Sequence, residues 1–174
     1  MEADMKYIFA SDIHGSAYYC KKLLEKAAET GAGRIVLLGD LLYHGPRNDL
    51  PQDYAPKQVA EMLNGVKEKL ICVRGNCDAE VDQMMLEFPI MADYAVLEPD
   101  GRRMYITHGH HYNIDNPLPM SAGDIMLYGH THVTLDEERN GVRFLNPGSV
   151  SIPKNDTGHG FLLYENGIFT RESL

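Results

Sequence analysis

The chain has 174 residues, 44% of them hydrophobic and 24% charged, the make-up of one folded domain able to bury a real core. A formal net charge of −9 argues against nucleic acid polymers and anionic membranes as partners. The three cysteines, Cys20, Cys72 and Cys77, are odd in number and form no Cys-x-x-Cys pair, which argues against a disulfide framework or structural zinc and fits the reducing cytoplasm. The acidic start Met1-Glu2-Ala3-Asp4 begins no signal peptide or membrane span. Met5-Lys6 offers a second start, so residues 1–4 read as a dispensable extension of a single domain over 1–174.

In chain order, Tyr7-Ile8-Phe9-Ala10 is an apolar run suited to a strand buried on both faces. Ser16 can cap a helix in which Cys20, Leu23, Leu24, Ala27 and Ala28 share a face, and Gly31 ends it. Ile35-Val36-Leu37-Leu38 is the next buried strand, which makes a right-handed strand-helix-strand unit. From Leu41 to Pro56 the pattern dissolves into a long loop, and a loop of that length in a compact domain is more often functional than idle. A helix over about 56–64, a strand over 70–73 and a helix over about 79–86 follow. The second half reads as mostly antiparallel. Tyr94–Leu97 and Met104–Ile106 flank Pro99-Asp100-Gly101, Val133–Glu137 and Val142–Leu145 flank Asn140-Gly141, and Phe161–Tyr164 and Ile168-Phe169 flank Asn166-Gly167. Ile125-Met126-Leu127 is a short strand between the first two hairpins. Two packed sheets with helices outside accommodate both halves in a mixed α/β fold.

Metal-competent side chains recur just after the apolar runs. They stand in Ser11-Asp12-Ile13-His14, Gly39-Asp40, Gly75-Asn76-Cys77-Asp78, Thr107-His108-Gly109-His110 and Tyr128-Gly129-His130-Thr131-His132. In extended backbone His130 and His132 would point the same way, towards one site. Asp12, His14, Asp40, Asn76, His108, His130 and His132 supply oxygen and nitrogen donors with no obligatory thiolate. That mixture suits manganese, iron or zinc better than calcium, and it suffices for two divalent ions if one carboxylate bridges. Two such ions can activate a bridging water for in-line displacement at phosphorus. The competing view is of loop turns with incidental polar residues.

Asp-x-His, Gly-Asp, Gly-Asn-x-Asp, Thr-His-Gly and Gly-His-Thr-His, in this order from Asp12 to His132, resemble the calcineurin-like metallophosphoesterases, and the likeness continues through Asn146-Pro147-Gly148-Ser149. The short chain, Gly-Asn-Cys-Asp and His-Gly-Pro-Arg-Asn are similar to the small bacterial YfcE-type phosphodiesterases in particular. The resemblance implies a two-sheet β-sandwich flanked by helices, with a di-metal site at one edge. It assigns Asp12, His14 and His132 to a first ion, Asn76, His108 and His130 to a second, and Asp40 to the bridge. The activity it implies is hydrolysis of a small phosphodiester by attack of a metal-bridging hydroxide, with Asp40, Asn76, Cys77 and His108 at the chemistry. The metals would be two divalent ions, manganese first, with Zn2+, Fe2+, Ni2+ or Mg2+ also admissible, and the assembly a homo-oligomer, dimer or tetramer. Phosphomonoesterase or protein phosphatase activity, a nuclease and a non-catalytic interaction scaffold are the competing functions.

Cys77 departs from the many relatives that carry His after Gly-Asn to protonate the leaving group. A thiol is the poorer acid, so acidic leaving groups are expected, unless Cys77 is only small packing. Asp78 orients a neighbour or ligates nothing. Arg47 and His44 in the long loop are substrate-binding candidates, the guanidinium fork suiting phosphate oxygens, against a solvated loop with a surface ion pair. His110 and His111 line the pocket or stand exposed. His159 reads as a turn residue, Asn146 and Ser149 as supports of the site, Tyr18 and Tyr19 as helix packing, and Met84-Met85 as core filler or an oligomer face.

Overall fold

Tyr7–Ala10 (β1) and Arg34–Leu37 (β2) are short apolar strands that pair in parallel, with Ala17–Thr30 (α1) between them. The structure is a computed structural model that describes residues 5–174, so the proposed extension 1–4 lies outside the described residues. Ser16 caps α1 by accepting the Tyr19 N–H, and Gly31 closes it in the left-handed region at φ 70°. Pro56–Asn64 (α2) leads to Leu70–Cys72 (β3), which lies parallel to β2, and Glu80–Met85 (α3) follows.

Tyr94–Leu97 (β4) and Met104–Thr107 (β5) form the first hairpin. Thr134–Arg139 (β7) and Val142–Pro147 (β8) form the second, turning at Asn140-Gly141 with both residues at positive φ. Gly160–Glu165 (β9) and Ile168–Ser173 (β10) form the third and join the first sheet, in the order β10-β9-β1-β2-β3. Ile125–Leu127 (β6) is the exception in a second half that is mostly antiparallel, as expected. It runs parallel to both β5 and β8, so the second sheet, β4-β5-β6-β8-β7, is antiparallel only at its edges. Turn residues announce hairpins, whereas β6 reaches its neighbours through longer connections that carry no such local signal.

Alternation along the strands divides the core. Phe9, Val36 and Leu38 face Met104, Ile106, Ile125 and Leu127 between the sheets. Ile8, Ala10, Ile35 and Leu37 point the other way, onto Cys20, Leu23 and Ala27 of α1 and Val59, Ala60 and Leu63 of α2. The helical layer lies over the first sheet. Among the described residues, the outer face of the second, Met126, Tyr128, Val142 and Phe144, is covered by Leu118, Tyr112, Ile114 and Met120 of an irregular segment. With β1, β2 and β3 parallel, and β5 parallel to β6, the loops after their carboxyl ends gather at one edge of the sandwich, where open α/β sheets hold their ligands.

Candidate metal centre

Each strand of that set ends in a candidate donor. Asp12 and His14 follow β1, Asp40 follows β2, Asn76 follows β3, His108 follows β5, and His130 and His132 follow β6. Asp12 Oδ1 lies 3.2 Å from His132 Nε2 and 3.5 Å from His14 Nε2, and the two Nε2 atoms are 3.2 Å apart. Asp40 Oδ2 stands between the halves of the site, 3.6 Å from His14 Nε2 and 3.3 Å from His108 Nε2. Asn76 Oδ1 closes the row, 3.0 Å from His108 Nε2 and 2.8 Å from His130 Nδ1. The donors of Asp12, His14 and His132, and those of Asp40, His108 and His130, each fall within 4.8 Å of one another.

The backbone reaches this geometry through uncommon conformations. Asp12, His14, Asp40, His130 and His132 all have positive φ, between 48° and 66°, a strain that residues other than glycine adopt rarely. This corrects the extended-backbone account of His130 and His132. At φ 66° and 59° they do not alternate as in a strand, and their rings go to different clusters. Gly75 and Gly129 are needed for a different reason. A Cβ on Gly75 would overlap the Asp40 carboxylate, and one on Gly129 would overlap the Ser11 hydroxyl.

The outer atoms of the donors are tied down, which aims the inner ones. His14 Nδ1 donates to the Tyr43 carbonyl (2.8 Å), His132 Nδ1 to that of Ile152 (2.6 Å) and His108 Nδ1 to that of Leu38 (2.6 Å). A carbonyl only accepts, so each neutral ring presents a lone pair at Nε2. Asp12 Oδ2 accepts from the Ser11 hydroxyl and the His130 N–H, while its buried Oδ1 has no hydrogen-bond partner among the described residues. Asp40 Oδ1 accepts the Cys77 N–H (2.8 Å), which leaves Oδ2 facing the histidines. An electron-rich row of this kind requires positive charge at its centre, from protons or from metal ions, and the convergence of several donors on common points fits metal ions.

The protonation tendencies say the same. Burial pushes the Asp12 carboxyl up, but His132, His14 and His108 outweigh it and hold it well below the usual carboxylate range. Burial likewise opposes ionisation of Asp40, and His108 overrides it. Burial favours the neutral His108 ring, yet the Asp40 and Asp12 carboxylates lift it to about 9. Burial and the His108 ring push His130 down instead.

Residues beyond the donor set hold the frame. Asp78, whose role the sequence leaves open, is buried and accepts the N–H groups of Asp40, Leu41 and Gly75, which ties the ends of β2 and β3 together. Ser149 and Ser151 hydroxyls both donate to the Asp12 carbonyl, and the Asn146 amide donates to the Gly129 carbonyl. Ser151 and Ser11 carry no motif that would single them out in the sequence.

A cavity of about 470 Å³ opens over the donors, lined among others by Arg47, Cys77, Arg74 and Lys154. Arg74 and Lys154 escape the sequence reading because only tertiary contacts bring them here. His44 is outside the lining, its ring packed edge-on between Tyr43 (4.8 Å) and Tyr54 (5.3 Å). His110 packs against His111 (4.0 Å) and His108 (5.3 Å), and neither His110 nor His111 lines the cavity. His159 does more than turn the chain. It stacks on Tyr19 at 3.9 Å, and its Nδ1 donates to the Val150 carbonyl. Tyr18 is exposed beneath the Lys22 ammonium rather than packed in the core, and Met84 and Met85 are exposed as well.

The calcineurin-like phosphoesterase superfamily domain matches residues 5–166. Phosphodiesterase YfcE of Escherichia coli K12 is 47% identical over 166 residues, covering 95% of this chain and 90% of the relative. A solved structure of the E. coli phosphoesterase YfcE superposes with a TM-score of 0.95 at 46% identity, covering 97% of this chain and 93% of that one. A phosphodiesterase of Methanocaldococcus jannaschii is 25% identical over 151 residues, 83% of each chain. Vacuolar protein sorting 29 of Cryptosporidium parvum shares the fold alone, with a TM-score of 0.64 at 18% identity over 97% of this chain and 96% of that one. The family domain and the close kinship over nearly the whole length give one conclusion: the chain belongs to the calcineurin-like phosphoesterase superfamily, as a metal-dependent hydrolase of phosphate esters.

Proposed function

We propose that this chain is a single-domain, di-metal phosphodiesterase that cleaves one ester bond of a small phosphodiester by in-line displacement. The observation that carries the proposal is the row of inward-facing lone pairs, above all His14 Nε2 and His132 Nε2 at 3.2 Å beside the unpartnered Asp12 Oδ1. Asp12, His14 and His132 would hold one ion and Asn76, His108 and His130 the other, with Asp40 contributing to both. When bound, the two ions supply electrophilic activation of the phosphoryl oxygens and an activated water. Manganese is the first choice on the family resemblance; Zn2+, Fe2+ and Ni2+ bind an imidazole-rich set at least as strongly, so supply decides occupancy along with affinity, and Mg2+, which prefers oxygen donors, suits the set least.

The chain's own residues divide the remaining work. Arg47, Arg74 and Lys154 line the cavity and would orient the non-bridging oxygens of the ester, Arg by its planar donor fork. Cys77 is half-buried beside Asp40, and burial together with that carboxylate pushes its thiol up to about 12. A thiol is a poorer proton donor at neutral pH than an imidazolium, which favours esters whose leaving group departs without a proton. His44, wedged between Tyr43 and Tyr54, would shape the loop rather than touch the ester. The names of the E. coli and M. jannaschii relatives support the diester class. The free cysteines are consistent with a cytoplasmic protein, and the family resemblance suggests a small homo-oligomer, a dimer or tetramer.

The test is hydrolysis of an aryl phosphodiester and the matching monoester by protein stripped with chelator and refilled with manganese, magnesium or zinc. Manganese should restore turnover of the diester with little on the monoester. Dominant monoester turnover would overturn the diester assignment, and failure to bind any of these ions would overturn the metal centre.

A further inference from the structure

A second cavity, of about 390 Å³, adjoins the one over the donors and is lined largely by carbon, including Leu42, Tyr43, Tyr54, Val81 and Met85. The two cavities share Tyr43, Cys77 and Ala79, so an occupant can extend from one into the other. One wall is built firmly. The Tyr43 carbonyl receives the His14 ring N–H, which ties this loop to the donor set. Tyr54 lies directly over Gly15, where any Cβ would strike its ring. The segment around Tyr54 is laced to the start of α1 by Ser16 Oγ to the Gln52 carbonyl, Ala17 N–H to the Asp53 carbonyl and Ala55 N–H to the Gly15 carbonyl. The His44 ring packs edge-on against both tyrosine rings.

The facing wall leaves apolar side chains in water. Val81 and Met85 of α3 are 63% and 43% exposed, and across the hollow Tyr43 of the first wall is 41% exposed. Isolated exposed apolar side chains are ordinary, but here they converge on one hollow that opens into a polar cavity. The two charged groups at its rim, Asp82, which accepts the Ala79 N–H, and Lys57, carry opposite signs, so the rim has no net positive charge. Such a surface does not suit a second phosphate. It suits an aromatic or aliphatic group, with the Tyr43 and Tyr54 rings available for stacking or edge contact.

We infer that this hollow is a subsite for an organic arm of the substrate, so that the substrate class is a phosphodiester with an aromatic or extended apolar alcohol. The occupant is fixed by continuity. Whatever places a phosphoryl group over the donors and bears such an arm can lay it past Cys77 and Ala79 against the tyrosines. The inference rests on the phosphoesterase assignment above and adds which ester is taken.

The test is calorimetric titration of manganese-loaded protein with phenylphosphonate and with methylphosphonate, which share the anion and differ in the organic arm. Wild-type protein should bind the phenyl compound about tenfold more tightly, as partial burial of one ring implies. Val81→Asp and Met85→Asp should each reduce that preference to less than about threefold, any repulsion from the added carboxylate falling on both anions alike. Both positions are exposed, so neither change needs the fold to adjust. Equal affinity for the two compounds in wild-type protein would overturn the subsite and leave the phosphoesterase assignment standing. Failure of both compounds to bind would overturn both. A change of sedimentation coefficient in Val81→Asp, with no phenyl preference in wild type, would assign the hollow to contact between copies and overturn the inference.

Discussion

Replacing Asp78 with alanine tests whether the frame of the site, rather than its donors alone, makes the centre. Asp78 is 2% exposed and accepts three backbone N–H groups, those of Asp40 (2.8 Å), Leu41 (3.0 Å) and Gly75 (2.7 Å). Alanine leaves all three without an acceptor in a buried place, at about 1–3 kcal/mol each. Burial also raises the Asp78 pKa, which means that holding the carboxylate there already costs something, and its removal recovers part of the loss. The low end of the range therefore applies, about 3 kcal/mol in total. For a chain of this size that lowers Tm by roughly 6–12 °C. Circular dichroism melting in chelator would measure the shift, so that metal binding does not mask it. Because Asp40 loses the anchor on its own N–H, manganese affinity should fall as well, by calorimetry. Asp78→Asn, which keeps one acceptor oxygen, should fall between. A Tm loss under about 2 °C would refute the reasoning.

Three further predictions are independent of that one. The buried His108 ring is lifted to about 9 by Asp40 and Asp12 against the effect of burial. Metal-free protein should therefore hold this contribution below about pH 6.5 and lose stability as pH rises towards 9, and His108→Gln should flatten that slope in chelator. A Tm equally pH-dependent in wild type and variant over that window would count against it. Gly129→Ala places a methyl where the Ser11 hydroxyl and Asp12 carboxylate sit. It should cost about 1–3 kcal/mol in chemical denaturation and weaken metal binding, and an unchanged midpoint would show that the contact is not tight. Asp40→Asn removes the shared charge between the two halves of the site, so the manganese content of purified protein should fall below that of wild type, measured by elemental analysis.

The sequence by itself determined what is local. The apolar runs at 7–10 and 35–38, the Ser16 cap, Gly31 and the Asn-Gly turns follow from short-range sterics and hydrogen bonding, and each lies where those rules put it. The donor side chains were legible as residue types recurring after strands. Their arrangement was not. His14 and His132 meet at 3.2 Å across 118 residues, and both stand in a left-handed backbone that extended-strand reasoning cannot anticipate. The parallel pairing of β6 is decided by long connections, and the role of Asp78 by amides from two other strand ends. Arg74 and Lys154 reach the cavity, and His44 turns away from it, for the same reason. Spacing along the chain constrains only near neighbours, whereas these positions are set by which loops the two sheets bring to one edge, and only the tertiary structure decides that.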